Sequence, residues 1–297
     1  MRQKVLVIGS GPAGLAAAND LSLLGHGVTI YEALPVLGGM LSVGIPAYRL
    51  PRDILNMEIE GIRQLGVDMK TNHFFSLGGD GTSFRKLGFH AVFLSTGAHR
   101  SLKLNIPGEN LRGVLPGVEF LRDVNLGKKI ELGGKVAVIG GGNVAMDVAR
   151  SARRLPVARV EIFCLESQKE MPAIREEVEG AKREGIKIHF QVSPIRMIGR
   201  AGRVIGAEFM RSGLMKGSTF GILSDTVIKA IGQRVDRNIL RELDTNQDGT
   251  VRVNPKTGET SIKGVFAGGD VVRGPGWAID AIADGKNGAE SIHQYLS

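Results

Sequence analysis

Twice in this chain a short apolar run rich in β-branched side chains ends in closely spaced glycines and leads straight into a helix-forming segment. No other feature limits the fold so tightly. The first copy is Val5-Leu6-Val7-Ile8, then Gly9-Ser10-Gly11-Pro12-Ala13-Gly14, then an alanine-rich run from Leu15 to Leu24. A continuous apolar run is the pattern of a strand covered on both faces of a parallel sheet, and glycines at the first, third and sixth positions of the turn suit a helix packed close behind it. Gly9 serves the tight turn, Gly11 the close approach of a pyrophosphate and Gly14 the contact between helix and strand, while the helix N-terminus attracts the anion. A second strand, Val28 to Tyr31, brings Glu32 to a point 23 residues beyond Gly9, where a carboxylate accepts hydrogen bonds from a ribose. The unit predicts a dinucleotide site.

The second copy is Val136-Ala137-Val138-Ile139 followed by Gly140-Gly141-Gly142-Asn143-Val144-Ala145, a helix through Met146 to about 155, and a strand from Val160 to Leu165 that ends beside Glu166. Alanine replaces the last glycine. A carboxylate at the end of that strand suits both hydroxyls of an unphosphorylated ribose and repels a 2′-phosphate, so NADH is expected in preference to NADPH.

Between and beyond the two copies the order is regular. Gly39 and its neighbours allow backbone to pass a second part of a long cofactor, and 53–65 has helical spacing, with Ile54, Met57, Ile59, Ile62 and Leu65 on one face, Asp53 as its cap and Gly66 as its stop. Val67 to Met69 reads as a strand, 78–81 as a glycine-rich loop, and Ala91 to Leu94 as a buried strand ending at Thr96-Gly97 on the cofactor edge. From 107 to 134 the pattern loosens into a Pro- and Gly-containing linker with one helical stretch at 118–124. A helix at 173–184 and strands at 186–190, 204–210 and 226–229 follow, closing at Ala230-Ile231-Gly232. The last third returns to the first domain: Val265-Phe266-Ala267 enters Gly268-Gly269-Asp270, and 277–295 is helical. A carboxylate at that strand tip suits polyol hydroxyls.

Composition narrows the alternatives. The single cysteine, Cys164, permits no internal disulfide, no Cys-x-x-Cys pair and no cysteine-ligated cluster within this sequence, which suits a reducing cytoplasm. It lies in an expected buried strand and reads as structural. A net charge of +8 is spread along the chain, and three tyrosines with one tryptophan are too few to stack bases, so nucleic acid is not expected. A basic surface suits an acidic protein partner. No apolar run approaches the ~18 residues of a membrane span, and the first strand starts too early to leave room for a signal peptide. Asp244 to Gly249 imitates a calcium loop, but Pro255 stands where its bidentate glutamate belongs, and the histidines form no ligand cluster, so no metal is expected. Arg153 and Arg154 read as a solvated helix face.

Together, Val7 to Gly14, Gly44-Ile45-Pro46 with Arg49-Leu50-Pro51, Gly140 to Asp147, Glu170-Met171-Pro172-Ala173 and Phe266 to Asp270 resemble the small subunit of glutamate synthase nearly end to end. The resemblance implies an α/β fold of two Rossmann-like dinucleotide-binding domains, an NAD(P)H domain inserted into a discontinuous FAD domain, with boundaries at 1–110, 111–234 and 235–297. It implies FAD contacts from Gly9, Gly11, Ala13, Gly14, Glu32, Gly39, Arg49, Gly269 and Asp270. For the nicotinamide cofactor it implies Gly140, Gly142, Asn143, Val144, Ala145 and Asp147. The expected cofactor set also takes in Pro12, Ala33, Met40, Leu41, Thr96, Gly97, Glu166, Gly232, Ala278 and Ile279. Two departures stand out: the family's N-terminal cysteine-rich iron–sulfur domain is missing from this sequence, and Leu165 and Glu166 occupy positions where NADPH-using members usually carry arginines. The expected activity is hydride transfer between NAD(P)H and FAD, with electrons exchanged with a separate iron–sulfur or other redox protein in an oligomer. No catalytic side chain is assigned, because hydride transfer needs positioning more than an acid or base. A self-contained diaphorase or quinone reductase and a non-enzymatic scaffold or redox sensor are the alternatives.

Overall fold

The computed structural model describes residues 3–78, 82–212 and 217–297, so most of the expected 78–81 loop lies outside the described residues. Strand β1 (Lys4–Ile8) buries four of its five residues, as a strand covered on both faces must. Helix α1 (Pro12–Leu23) opens on a proline at its first turn, where the missing N–H costs no hydrogen bond. There follow β2 (Gly27–Tyr31), a single turn of helix α2 (Met40–Val43), α3 (Arg52–Gln64), β3 (Asp68–Lys70), the short α4 (Ser83–Lys86), β4 (Ala91–Leu94) and β5 (Arg100–Ser101). Helix α3 departs from expectation in two ways. Pro51 is its N-cap residue and Asp53 sits inside the first turn, favourable toward the helix dipole without capping it. Its buried side is Leu55 and Ile59, while Ile54 and Met57 are exposed, because apolar residues at 54, 55, 57, 59 and 62 wrap too far around the helix to be covered by one sheet.

The stretch expected to be a linker carries β6 (Val114–Pro116) and α5 (Gly117–Asn125). Then come β7 (Lys135–Ile139), α6 (Asn143–Arg153), β8 (Arg159–Phe163), α7 (Arg175–Arg183), β9 (Lys187–His189), β10 (Val192–Arg200), β11 (Arg203–Arg211), β12 (Thr219–Leu223) and β13 (Thr226–Lys229). The order β6-β13-β7-β8-β9 forms a parallel sheet, which makes β6 an edge strand and ties 114–116 to the sheet. Strands β10, β11 and β12 form an antiparallel meander in which only β11 was expected. Arg153 and Arg154 lie exposed on the helix face, as expected, and are also engaged in polar contacts. Arg154 pairs with Glu184 at 2.7 Å, Arg150 bridges Glu177 and Glu184, and Arg153 donates to the Glu184 carbonyl. Burial works against ionisation of Glu184, yet Arg154 and Arg150 hold its carboxyl below its ordinary range.

After β14 (Gln233–Arg234), residues 244–249 turn between Thr245 and Val251, which form a lone antiparallel bridge. The Asp248 carboxylate accepts from both the Thr250 amide and hydroxyl. Strand β15 (Val265–Ala267) pairs with β4, giving the parallel order β15-β4-β1-β2-β3, and α8 (Asp270–Arg273) and α9 (Ala278–Leu296) complete the chain. The C-terminal third thus finishes the sheet that the N-terminus starts. Two compact units result, Met1–Arg100 with Gln233–Ser297, and Ser101–Gly232. In the first, α9 packs through small residues on α1 and on β4: a Cβ at Gly285 would meet the Ala13 carbonyl of α1, and one at Gly288 the Phe93 ring of β4. No helix among the described residues is long and apolar enough to cross a membrane.

Candidate functional site

In each sheet the glycine turn leaves the carboxyl end of the middle strand, where neighbouring chain connections run to opposite sides and a crevice opens. Gly9 takes φ +97° and its amide donates to the Tyr31 carbonyl at 2.8 Å. Gly14, in the first turn of α1, has no room for a Cβ beside the Gly9 carbonyl and Ser95 Oγ, whereas nothing lies within 4 Å of a Cβ at Gly11. Two glycines bring helix to strand; the third leaves a bare surface at the helix N-terminus.

Four further segments converge on that surface. Glu32 is buried, its Oε2 accepting the Ser10 amide (2.9 Å) and hydroxyl (2.6 Å) and its Oε1 the Leu34 amide (2.8 Å). A carboxylate has about four acceptor sites, so this locked geometry leaves one for a hydroxyl. Gly39, at φ +53°, would place a Cβ 2.7 Å from Gly11 Cα, and the preceding Gly38 amide donates to Ser10. Thr96 follows β4 with its Oγ1 buried and without a hydrogen-bond partner, and Gly97 is next to it. Gly269, at φ +75°, stands with its Cβ position 3.0 Å from Ala13 Cβ and hands the chain to Asp270. Burial pushes the Asp270 carboxyl up to about 6, with the Asp284 charge adding to the rise and a hydrogen bond from the Gly276 amide opposing it.

The other expected residues of this unit flank the crevice. Pro12 starts α1, exposed Ala33 follows Glu32, Met40 and Leu41 begin α2, Arg49 is half-buried in the loop after it, Ala278 opens α9 and Ile279 is 69% exposed. Sequence reading missed Arg52. Its guanidinium donates to the carbonyls of Leu41 (2.8 Å), Ile45 (2.5 Å) and Leu50 (3.2 Å), fixing the loop that carries Gly39 and Arg49, and burial lowers its pKa.

The second crevice repeats the plan with one shift. The Gly140 amide donates to the Phe163 carbonyl at 2.9 Å, a Cβ there would meet the Ala230 carbonyl, and Gly142 faces open space. Ala145 and Asp147 are buried in α6, Val144 is half-buried, and Gly232 (φ +112°) follows β13. Asn143 Oδ1 accepts the Ile174 amide at 2.8 Å, tying the 171–174 segment to the turn. Strand β8 ends at Phe163, three residues short of Glu166, so Cys164 holds the backbone place that Glu32 has in the first unit: each amide bonds to the next strand, Glu32 to Lys70 and Cys164 to His189. Glu166 nevertheless turns back. Its Oε2 is buried without a hydrogen-bond partner and occupies the space a Cβ on Gly141 would need. Gly141 is the counterpart of Ser10, so both carboxylates reach the second residue of their turn.

Cys164 is buried at 1% exposure, and burial together with the Glu166 charge pushes its thiol up to about 12. The thiolate is the reactive form. Native protein at pH 8 should therefore leave a maleimide unreacted for hours and take up one equivalent only in denaturant; rapid native labelling would contradict the burial.

Two parallel sheets, each ended by a glycine turn and a carboxylate, define a two-dinucleotide oxidoreductase of the FAD- and NAD(P)-dependent class. The chain belongs to the pyridine nucleotide-disulphide oxidoreductase family, whose sequence model matches residues 3–285. It is 45% identical over 312 residues to the NADP(+)-dependent formate dehydrogenase subunit beta of Moorella thermoacetica, covering 99% of this chain and 44% of that one. It is 37% identical to the NADPH-Fe(3+) oxidoreductase subunit beta of Geobacter sulfurreducens (99% and 50%). Against the glutamate synthase [NADPH] small chain of Azospirillum brasilense the identity is 33% (97% and 66%), in line with the resemblance read in the motifs. The chain spans about half the length of the first two relatives. Among solved structures, Mycobacterium tuberculosis FprA in complex with NADPH superposes at TM-score 0.83 with 18% identity (100% and 85% covered). Lactococcus lactis thioredoxin reductase does so at 0.78 with 21% identity (99% of each). Both share the fold.

Proposed function

We propose that the first unit holds FAD and the second NAD(P)H, NADH in preference, and that the chain is the electron-transfer subunit of a larger assembly whose other member carries iron–sulfur clusters. The observation that carries the reading is the paired construction of the two turns, each with bare glycine at the third position and a carboxylate folded onto the second. FAD supplies, when bound, acceptance of a hydride and release of its electrons one at a time. Gly9, Gly11, Ala13 and Gly14 present the α1 N-terminus to a pyrophosphate; Glu32 offers its remaining acceptor site to a ribose; Gly39, Arg49, Thr96 and Asp270 serve the rest of a long molecule. Gly140, Gly142, Asn143, Val144 and Ala145 do the same in the second unit, with Glu166 at the ribose.

The family's name refers to disulphide chemistry, which needs a pair of reactive thiols. This sequence has one cysteine, buried and with its thiol pKa pushed up to about 12, so within it there is no thiol pair to exchange electrons with a flavin. The relatives named as subunits support a protein acceptor or donor.

The purified chain should be yellow, release FAD on denaturation and bleach on anaerobic addition of NADH. Absence of flavin from both native and reconstituted protein would defeat the reading, and fast quinone turnover without a partner would favour a self-contained reductase. Thr96→Val should leave the cofactor-free protein at least as stable, since it removes an unpartnered buried hydroxyl. It should weaken FAD binding by roughly two- to thirteenfold if that hydroxyl bonds the cofactor, as a net hydrogen bond contributes about 0.5–1.5 kcal/mol. Unchanged affinity would remove Thr96 from the site.

A further inference from the structure

Asp284 lies on α9, fourteen residues beyond Asp270, yet its carboxylate is turned into the β15–α8 junction. Oδ2 accepts the Gly269 amide at 3.0 Å and Arg273 Nε at 2.7 Å, and Oδ1 accepts Arg273 Nη2 at 2.6 Å. The side chain is only 12% exposed. Its own Cβ stands 2.9 Å from where a Cβ on Gly268 would lie, as does the Phe93 ring. Gly269 on the next position leans on Ala13 of α1. The two-glycine turn is therefore held on three sides: by α1 through Ala13, by β4 through Phe93 and by α9 through Asp284. Its backbone N–H and the following arginine are both committed to one carboxylate. Helix α8 has four residues, too few to fix its own orientation by internal hydrogen bonds, and Asp270 is the first of them.

We infer that Asp284 is a positioning residue for the flavin site: it clamps Gly269 and Arg273 and so sets where Asp270 is presented to the polyol chain of FAD. The inference rests on the FAD reading above. A bidentate arginine–carboxylate pair with a third, backbone donor fixes the carboxylate, and the fixed group then pins the amide of Gly269, the residue from which α8 starts. Without it the Gly269 amide loses its acceptor and Arg273 its partner. Asp270 then samples orientations from which only some reach the ligand.

Asp284 also sets the charge around Asp270. The charged groups tied to this junction are Asp284 and Asp280 of α9 and Arg273 of α8. With Asp284 neutralised, a repelling anion goes and the arginine it had engaged is freed, and both changes favour ionised Asp270.

The test measures FAD affinity of deflavinated protein by fluorescence quenching, from pH 5 to 8, for the parent chain, Asp284→Ala and Asp284→Asn. Circular dichroism and thermal unfolding run on each cofactor-free sample. Asp284→Ala should bind FAD at least tenfold more weakly at pH 7.5 with its secondary structure intact. Asp284→Asn, which keeps an acceptor for the Gly269 amide but not the ion pair, should lose less. In the parent, affinity should fall on acidification through about pH 6 as Asp270 takes up a proton; in Asp284→Asn that fall should move to lower pH, a displacement that a general loss of stability would not produce. If Asp284→Ala does not fold, Asp284→Asn carries the test alone. Parent-like affinity and an unmoved pH profile in the folded variants overturn the inference. A parent chain that binds no FAD at all instead overturns the functional reading on which it rests.

Discussion

Gly14→Ala should lower the thermal midpoint of the cofactor-free protein by several degrees and abolish flavin retention, while Gly11→Ala, three residues earlier in the same motif, should leave the midpoint unchanged and still lose the flavin. The contrast follows from what each added methyl meets. At Gly14 it meets the Gly9 carbonyl and, at 2.6 Å, Ser95 Oγ, which is itself bonded to the carbonyls of Ile8 (3.1 Å) and Gly9 (2.9 Å). Two of those atoms are backbone at the end of the central strand, so relief requires moving α1 off β1. Overpacking of this kind costs about 1–3 kcal/mol and sometimes more. At Gly11 nothing lies within 4 Å, and its φ of −65° with ψ of 179° suits any residue, so the fold has no objection. On the FAD reading, what the methyl at 11 would obstruct is the approach of a pyrophosphate to the helix N-terminus. Thermal unfolding of both apoproteins with a flavin titration separates the two roles; equal midpoints for all three proteins would show that the close helix–strand contact is not a constraint.

The parts of the fold that were legible in the sequence are those whose cause is local. Strand β1, its turn and α1 are fixed by neighbours within a few residues, and the matching order at 135–153 repeats the same local physics. The meander was hidden for an equally physical reason. Pro194 and a bulge between Pro194 and Arg196 interrupt the alternation of β10, and β12, which buries only Phe220 and Ile222 in part, ends on an exposed Leu223 that blurs its sequence pattern, so neither reads as a clean period of two. Strand β6 is three residues long and ends in Pro116, which an edge strand tolerates and sequence reading takes for a linker. The residues that shape the first crevice without belonging to a motif were out of reach: Arg52 works by carbonyls brought to it by a loop, and Asp284 by a turn fifteen positions away. Nothing in the local sequence of either records that partner. Glu166 falls between these cases. Its existence near a second-strand end was readable, but β8 stops at Phe163, and only the three-dimensional return of the chain lays the carboxylate on Gly141.

That return makes Glu166→Arg the most informative single substitution. The carboxylate is at the second turn residue, the position that Glu32 reaches in the other unit, and its Oε2 has no hydrogen bond of its own, so a pair of ribose hydroxyls would supply what the buried oxygen lacks. A 2′-phosphate would instead bring like charge to it. At ~5 Å and an effective dielectric of ~20 the repulsion is roughly 3 kcal/mol per charge pair before salt screening, or about a hundredfold in affinity. Three relatives, at 45%, 37% and 33% identity, are named for NADP(H), so an NADH preference would set this chain apart from them, and the comparison of NADH and NADPH in the unmodified protein is the first measurement. NADH should have the higher kcat/KM. Glu166→Gln removes the repulsion alone and should bring the two cofactors close together; Glu166→Arg adds an attracting cation and should reverse the order, raising kcat/KM for NADPH while lowering it for NADH. The reversal should shrink at high ionic strength, because it is made of partly exposed charge. An unmodified protein that uses both cofactors equally, with neither substitution altering the ratio, would place Glu166 away from the ribose and return its buried oxygen to a purely structural account.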